Sequence, residues 1–334
     1  MRVAVLGCGG MGRVHAGAYA EMPGVELVGV CDLYPGAAEN VGAIYGVPAF
    51  ASYEELLDRV KPEAVSITLP SELHKEYAIR TAEAGVHVIS EKPIALTLED
   101  AQAVIDSCER NGVQLFVGHV VRFFPEYVQM KEKIASGQLG RVGTANLRRI
   151  GGHPGEAKPW FKDESKSGGV IVDLMIHDID FVRWALGEVK SVYCTRRVDD
   201  HVDYALVTLV FESGAVANVE AYWGYPGPFR TAAEFAGSKG LIRGDSGKTS
   251  SLQVYKEVQA EDGEKKVAVP SSPGVNSPFY LELQHFIECI RDGKEPRVTA
   301  WDAYKALEIA NAARLSAETG EAVILSNQGR ASNQ

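Results

Sequence analysis

The opening stretch of the chain restricts the fold more than any other. Residues 2–7 form an apolar run of strand length, and Gly7-Cys8-Gly9-Gly10-Met11-Gly12 follows at once. The residues from Met11 to about Ala20 then read as a helix. A strand, a G-x-G-x-x-G turn and a helix, in that order, make the phosphate-binding corner of a doubly wound α/β sheet. Gly7 permits the tight turn. Gly9 lets the backbone approach a pyrophosphate, and Gly12 lets helix and strand pack closely. With Gly10 and Met11, the loop offers free N–H groups and the positive end of the helix to phosphate oxygens. Asp32 stands twenty residues after Gly12, where a second apolar run, 25–31, ends. An acid there accepts hydrogen bonds from the adenosine ribose and repels a 2′-phosphate. Leu33 and Tyr34 follow it, with no arginine to receive such a phosphate. The expected cofactor is therefore NAD, with NADP less favoured, and a flavin fits a compact single dinucleotide unit less well.

The alternation continues to about residue 120. Strands are expected at 47–50, 64–69, 86–90 and 113–118. Helices are expected at 35–45, from Ser52, after Pro70-Ser71, and from Thr97 to about 111. Ser52 with Glu55 three residues on is a capping box. Strands alternating with helices of this length build a parallel sheet. The pattern then changes. Helical segments are expected at 124–137 and within 168–186, and a strand at 142–150. Strand-like runs follow at 190–198, 202–212, 215–223, 230–236, 240–244 and 252–257, before closing helices at 278–292 and 299–319. Serial strands joined by tight turns form a largely antiparallel sheet. The fold class is thus α/β: an N-terminal Rossmann dinucleotide-binding domain at 1–121, then an α+β domain at 122–326 with a large, mostly antiparallel open sheet. A polar tail at 327–334 is expected to fray. A cleft between the domains is the expected ligand site.

Composition narrows the partners. At 334 residues and 46% hydrophobic, the chain can support two cores. A net charge of -10 disfavours nucleic acid and membrane surfaces, both anionic. No run approaches the roughly 20 apolar residues of a membrane helix. The N-terminal apolar run is too short for a signal-peptide core. Five scattered cysteines without a CxxC pair argue against disulfides or a zinc site, so a reducing cytoplasm is the expected setting.

Two further segments carry chemistry. Glu91-Lys92-Pro93 follows the fifth strand, and Gly168-Gly169-Val170-Ile171-Val172-Asp173-Leu174-Met175-Ile176-His177-Asp178-Ile179-Asp180 opens the second domain's long helix. Together with the glycine turn, they resemble the glucose–fructose oxidoreductase, inositol dehydrogenase and MocA family over essentially the whole chain. The Asp-x-x-x-His-Asp pattern is closest to its inositol-dehydrogenase-like members. Pro70-x-x-x-His74 resembles the family's loop over the cofactor. The resemblance implies hydride exchange between nicotinamide and a hydroxyl-bearing carbon of a polyol, inositol or sugar, nucleotide sugars included. It places Lys92, Asp173 and His177 around the reacting carbon. Leu69, Pro70, His74, Glu91, Lys92 and His119 fall on the cofactor side. His119 departs from the family pattern, standing where an Asn is common. Arg122, His153 and Trp160 join Lys92, Asp173 and His177 as expected substrate contacts. Arg122 could equally brace the two domains, and Trp160 could be an ordinary packed ring.

The chemistry agrees with the resemblance. Oxidising an alcohol removes a hydroxyl proton, and a histidine is suited to take it. Asp173 and His177 are four apart, so on a helix they share a face, and the carboxylate can orient the imidazole. Lys92 can stabilise developing alkoxide. Asp178 reads as a substrate ligand or a surface acid, and for Asp180 the resemblance implies a structural role. A metal would need Asp173, His177 and a third ligand such as His153, and nothing in the spacing demands one. Two other readings are an NAD-retaining glycosidase or lyase with transient redox chemistry, and a non-catalytic dinucleotide-binding relative. The second should lack Lys92 or the Asp173/His177 pair. A sheet face not covered by helices needs burial elsewhere, and the resemblance implies a homo-oligomer, dimer or tetramer, packed through it.

Overall fold

The computed structural model describes residues 1–247 and 276–325. The described residues form two compact units. The first gathers 1–125, 164–168 and 276–307, and the second 126–163, 169–247 and 308–325. The expected strand at 252–257 and the tail at 327–334 lie outside the described residues.

In the first unit the elements alternate as β1 (Arg2–Leu6), α1 (Gly10–Glu21), β2 (Glu26–Cys31), α2 (Pro35–Tyr45), β3 (Ala49–Phe50), α3 (Tyr53–Val60) and β4 (Ala64–Ile67). They continue with α4 (His74–Glu83), β5 (His87–Glu91), α5 (Leu98–Arg110) and β6 (Leu115–Gly118). The sheet is parallel throughout, in the order β3-β2-β1-β4-β5-β6. Its central strands are buried on both faces, which is why they read as continuous apolar runs rather than alternating ones. The strand order reverses between β1 and β4, the switch point at which open α/β sheets bind ligands. The caps read from sequence are made: Ser52 accepts from Glu55 N at 3.3 Å, and Thr97 from Asp100 N at 3.1 Å.

The second unit opens with α6 (Pro125–Ala135) and β7 (Val142–Gly151). After the short α7 (Glu164–Ser167), which belongs to the first unit, come a π-helical turn (Val170–Met175) and α8 (Ile176–Leu186). Then follow β8 (Val189–Val198), β9 (Asp203–Phe211), β10 (Val216–Trp223), β11 (Arg230–Gly237) and β12 (Gly240–Asp245). These strands lie in the order β12-β11-β7-β10-β9-β8. All neighbours are antiparallel except β7 and β10, which run parallel. One face is dry, with Ala205, Val207 and Leu209 of β9 beside Ala217, Val219 and Ala221 of β10 under the π turn and α8. The other face alternates outward and is open. The segment expected as one long helix is thus a π turn continued by an α-helix.

Two late helices close the chain: α9 (Pro278–Asp292) and α10 (Ala300–Thr319), followed by β13 (Val323–Ile324) on the β8 edge. Helix α9 belongs to the first unit's core. Phe279, Leu283, Phe286 and Ile287 recur at helical spacing and are buried. Phe286 stacks on Phe116 at 5.0 Å and meets Phe123 edge-on at 6.0 Å. The sequence expectation divided the chain once, at 121–122; the contacts return 276–307 to the first unit, because the first sheet is completed by an apolar helix made late. Among the described residues no helix is long and apolar enough to cross a membrane. Phe286→Ala should lower the unfolding free energy by about 3–5 kcal/mol, measured by denaturant titration, with loss of structure in the dinucleotide-binding unit.

Candidate active site

The glycine corner has the geometry its spacing requires. Gly7 has φ 96°, and a Cβ there would sit 2.8 Å from the Thr68 carbonyl group. A Cβ on Gly12 would overlap the Gly7 carbonyl oxygen, so only glycine lets α1 lie this close to β1. Thr68 seals the corner by donating its hydroxyl to Gly7 O at 2.7 Å. Gly9 caps α1 without a side chain, and the first turn of α1 carries no acid. By contrast α3 and α5 begin with two acids each. Open space lies over Gly10. A helix start without its own cap or acid is suited to phosphate oxygens. Asp32 turns towards this loop: its Oδ2 accepts Cys8 N–H at 2.6 Å and its Oδ1 accepts Tyr34 N–H at 2.8 Å. Each carboxylate oxygen keeps a further lone pair for ribose hydroxyls. The Cys8 thiol is buried and pushed up to about 12 by burial and by Asp32, so it acts as a small apolar residue. These features fit a bound dinucleotide.

Beside the corner, the loop after β4 and the segment after β5 are tied together by His74. Its Nδ1 lies 2.7 Å from Pro93 O and its Nε2 2.9 Å from Leu69 O. Pro70 precedes the turn that leads into α4. Lys92 is half-exposed between buried Glu91 and buried Pro93. His74, Glu91 and His119, expected on the cofactor side, have side chains turned into the unit. They shape the loops from beneath rather than present polar atoms at the surface. Arg122, expected to reach substrate or brace the domains, is 1% exposed. Its Nη1 donates to Arg297 O at 2.9 Å and lies 3.2 Å from Asp302 Oδ2, while Arg297 donates back to Arg122 O at 2.9 Å. Arg122 is therefore a brace within the first unit.

In the second unit the chain enters through Gly168 and Gly169, with φ 78° and 69°, a conformation that favours glycine. Val170 N–H then donates to Asp203 Oδ2 at 2.9 Å. Asp203 is itself gripped by Arg196 through two 2.8 Å bonds. From 167 to 183 every residue is buried except Asp173 and His177. The π turn carries Asp173 and the first turn of α8 carries His177, so the two polar groups emerge together from an apolar helix. π turns recur at functional sites. Asp178, next in sequence, points the other way. Arg149 of β7 grips it with Nε–Oδ2 at 2.8 Å and Nη2–Oδ1 at 2.9 Å, both residues buried. Burial opposes the Arg149 charge, but Asp178, with Tyr127, more than offsets it and holds the guanidinium above its ordinary range. Asp178 is thus neither a substrate ligand nor a surface acid: it bolts α8 to the sheet. Asp180 is also fully buried.

His153 and Trp160 sit in the loop that follows β7, both half-buried. His153 Nδ1 accepts Gly155 N–H at 3.0 Å, which leaves Nε2 as the protonated nitrogen of a neutral ring. Burial pushes this imidazole down towards the neutral form. Trp160 stacks on Phe161 at 3.8 Å, and Phe161 and His153 both pack against Trp223 at 5.8 and 5.3 Å. One face of Trp160 is therefore taken by its neighbour. Sequence reasoning did not find Arg149, Arg196 and Asp203, nor the His15 and Ser66 side chains under Glu91. Each lies on an ordinary-looking strand or helix, and apart from Arg196 and Asp203, which face each other seven residues apart across the β8–β9 turn, the partners are distant in the chain.

A parallel nucleotide-binding unit with this corner, and a helix offering one Asp–His pair, define a two-part dinucleotide-dependent oxidoreductase. Residues 1–119 match the family model described as oxidoreductase family, NAD-binding Rossmann fold, and residues 131–325 match the same family's C-terminal alpha/beta domain. The chain belongs to the Gfo/Idh/MocA oxidoreductase family. It is 32% identical to the scyllo-inositol 2-dehydrogenase (NAD(+)) of Bacillus subtilis, over 97% of this chain and 96% of that protein. It is 30% identical to the myo-inositol 2-dehydrogenase of Thermotoga maritima, over 97% and 98%. Among solved structures, GenD2 from gentamicin A biosynthesis in complex with NAD superposes with a TM-score of 0.87 at 25% identity, covering 98% of this chain and 96% of that one. The cofactor is NAD. Removing one partner of the buried pair in Arg149→Leu should leave Asp178 uncompensated and cost about 3–5 kcal/mol, seen as a lowered midpoint in chemical unfolding.

Proposed function

We propose that this protein is an NAD-dependent dehydrogenase of a polyol, inositol or sugar, with Lys92, Asp173 and His177 as its reacting groups. The observation that carries the reading is that Asp173 and His177 alone are partly exposed in the otherwise buried stretch from 167 to 183. A polar pair kept out of an apolar core at this spacing is suited to proton transfer at a bound hydroxyl. When bound, NAD supplies the hydride acceptor. The His177 imidazole takes the hydroxyl proton as the carbon–oxygen double bond forms. Asp173 orients that ring and stabilises the imidazolium. Lys92 donates a hydrogen bond to the same oxygen and stabilises its developing negative charge. In the reverse direction His177 returns the proton to the carbonyl oxygen. His153, a neutral N–H donor beside an aromatic wall, and Trp160 support recognition of a hydroxylated ring. The relatives that act on inositols support a cyclic polyol as the first substrate class to test.

The open face of the second sheet supports a homo-oligomer. Tyr193 and Leu206 are 43% and 37% exposed there, and Tyr204 meets Tyr222 edge-on at 5.7 Å. An aromatic, half-apolar sheet face of this kind is covered in stable assemblies. All five cysteines are free and buried, which supports a reducing, cytoplasmic setting.

The purified chain should form NADH with at least one member of a panel of inositols, sugars and nucleotide sugars. Lys92→Ala and His177→Ala should each lower turnover by about 10²–10⁴-fold while NAD still binds. Near-native turnover in both variants would remove these roles. In sedimentation the protein should run as a dimer or tetramer, and Leu206→Glu should shift it towards monomer; an unchanged monomer would refute the interface.

A further inference from the structure

A buried chain of hydrogen bonds runs from α1 through β4 to the Lys92 backbone. The Tyr19 hydroxyl donates to Ser66 Oγ at 3.2 Å, and Ser66 Oγ lies 2.6 Å from His15 Nδ1. His15 Nε2 lies 3.1 Å from Glu91 Oε1, and the other carboxylate oxygen, Oε2, accepts Lys92 N–H at 3.2 Å. Tyr19, Ser66 and His15 are at most 1% exposed, and Glu91 is 8% exposed. Polar groups at this depth are costly unless each is paired.

Proton positions follow from the partners. Burial alone raises the Glu91 carboxyl, but the His15 hydrogen bond, with Lys92 and His74 nearby, more than offsets it and holds the group below its ordinary 4.5. Glu91 is therefore a carboxylate and can only accept. The proton between it and His15 resides on Nε2. Ser66, which already accepts from Tyr19, has its own proton to give to Nδ1. With the bonds made in that order, the polarity runs one way from Tyr19 to Glu91. Gly118 backs the carboxylate so closely that a Cβ there would stand 3.4 Å from Oε2. The carboxylate is thus held on three sides, and it holds the Lys92 main chain by its N–H.

We propose that His15 is a positioning residue for Lys92. Acting through Glu91, it fixes the base from which the lysine side chain extends, while touching neither substrate nor cofactor. The proposal rests on the assignment of Lys92 as a reacting group. Misplacing a reacting group by about 1 Å can cost about 10²-fold in rate.

Three measurements test it. With the substrate found above, His15→Phe should lower kcat about 10²-fold and leave substrate KM and NAD affinity within about twofold. His15→Gln, which keeps a donor for Glu91, should recover much of that loss. Wild-type turnover with undiminished kcat in His15→Phe overturns the proposal, whereas absence of wild-type turnover counts against the dehydrogenase assignment instead. The other two readouts need no turnover. In ¹⁵N-histidine NMR, His15 should show protonated Nε2 and bare Nδ1; a protonated Nδ1 overturns the proton order. In hydrogen exchange the Lys92 amide should be protected in the wild type and lose that protection in Ser66→Ala, a smaller change at the same chain than His15→Phe. Equal protection in both proteins overturns the coupling.

Discussion

The contact between Gly12 and the Gly7 carbonyl governs the first unit. Any side chain at 12 would overlap that oxygen, so the start of α1 lies against β1 at backbone distance. Everything that α1 does follows from this approach. Its uncapped N-terminus comes to the switch point beside Asp32. Its next turns carry His15 and Tyr19 down onto the sheet, near enough to reach Ser66 on β4 and, through His15, Glu91 on β5. The three glycines of the motif thus serve two ends. They open a phosphate site above the loop and draw a polar chain together beneath it.

The second unit solves a different problem: how to offer two polar groups from a helix that is otherwise core. The helix is held by charges pointing away from the offered pair. Asp178 is bolted to β7 by Arg149, and the turn that starts the helix is hung from Asp203, itself held by Arg196. Each pairing is fully hydrogen-bonded, which buried charges require if they are not to destabilise the core. Asp173 and His177 face outward because their neighbours are committed inward.

Much of the fold is legible in the sequence because periodicity is local. The alternation of β1 through β6, the caps at Ser52 and Thr97 and the serial strands of the second sheet all depend on residues a few positions apart. What escapes is long-range. The return of α9 to the first core depends on Phe286 meeting Phe116 across 170 residues of chain. The π turn at Val170–Met175 contains no helix-breaking residue, and its first N–H is bound by Asp203, 33 residues along. For the site, the residue types and their spacing marked Gly7, Gly12, Asp32, Lys92, Asp173 and His177 as candidates. They could not separate a presented group from a buried support. Arg122 and Asp178 read as possible substrate contacts in the sequence, and each is itself buried and paired with a residue tens of positions away or more. The His15 chain was invisible for the same reason, since its partners lie 51 and 76 residues along.

The late arrival of α9 bears on how the protein is made. The nucleotide-binding unit begins at the first residue, yet its core needs Phe286 and Leu283. At about 5–20 residues per second of synthesis, roughly 8–30 s separate the emergence of Phe123 from that of Phe286. Through that interval Phe116 and Phe123 lack the aromatic ring that covers them, and most of the second unit is being made in between. A chain arranged in this way cannot finish its first unit until most of its second has been made. Its nascent form carries an apolar wound that only the closing helix heals, and it would draw on chaperones throughout that wait.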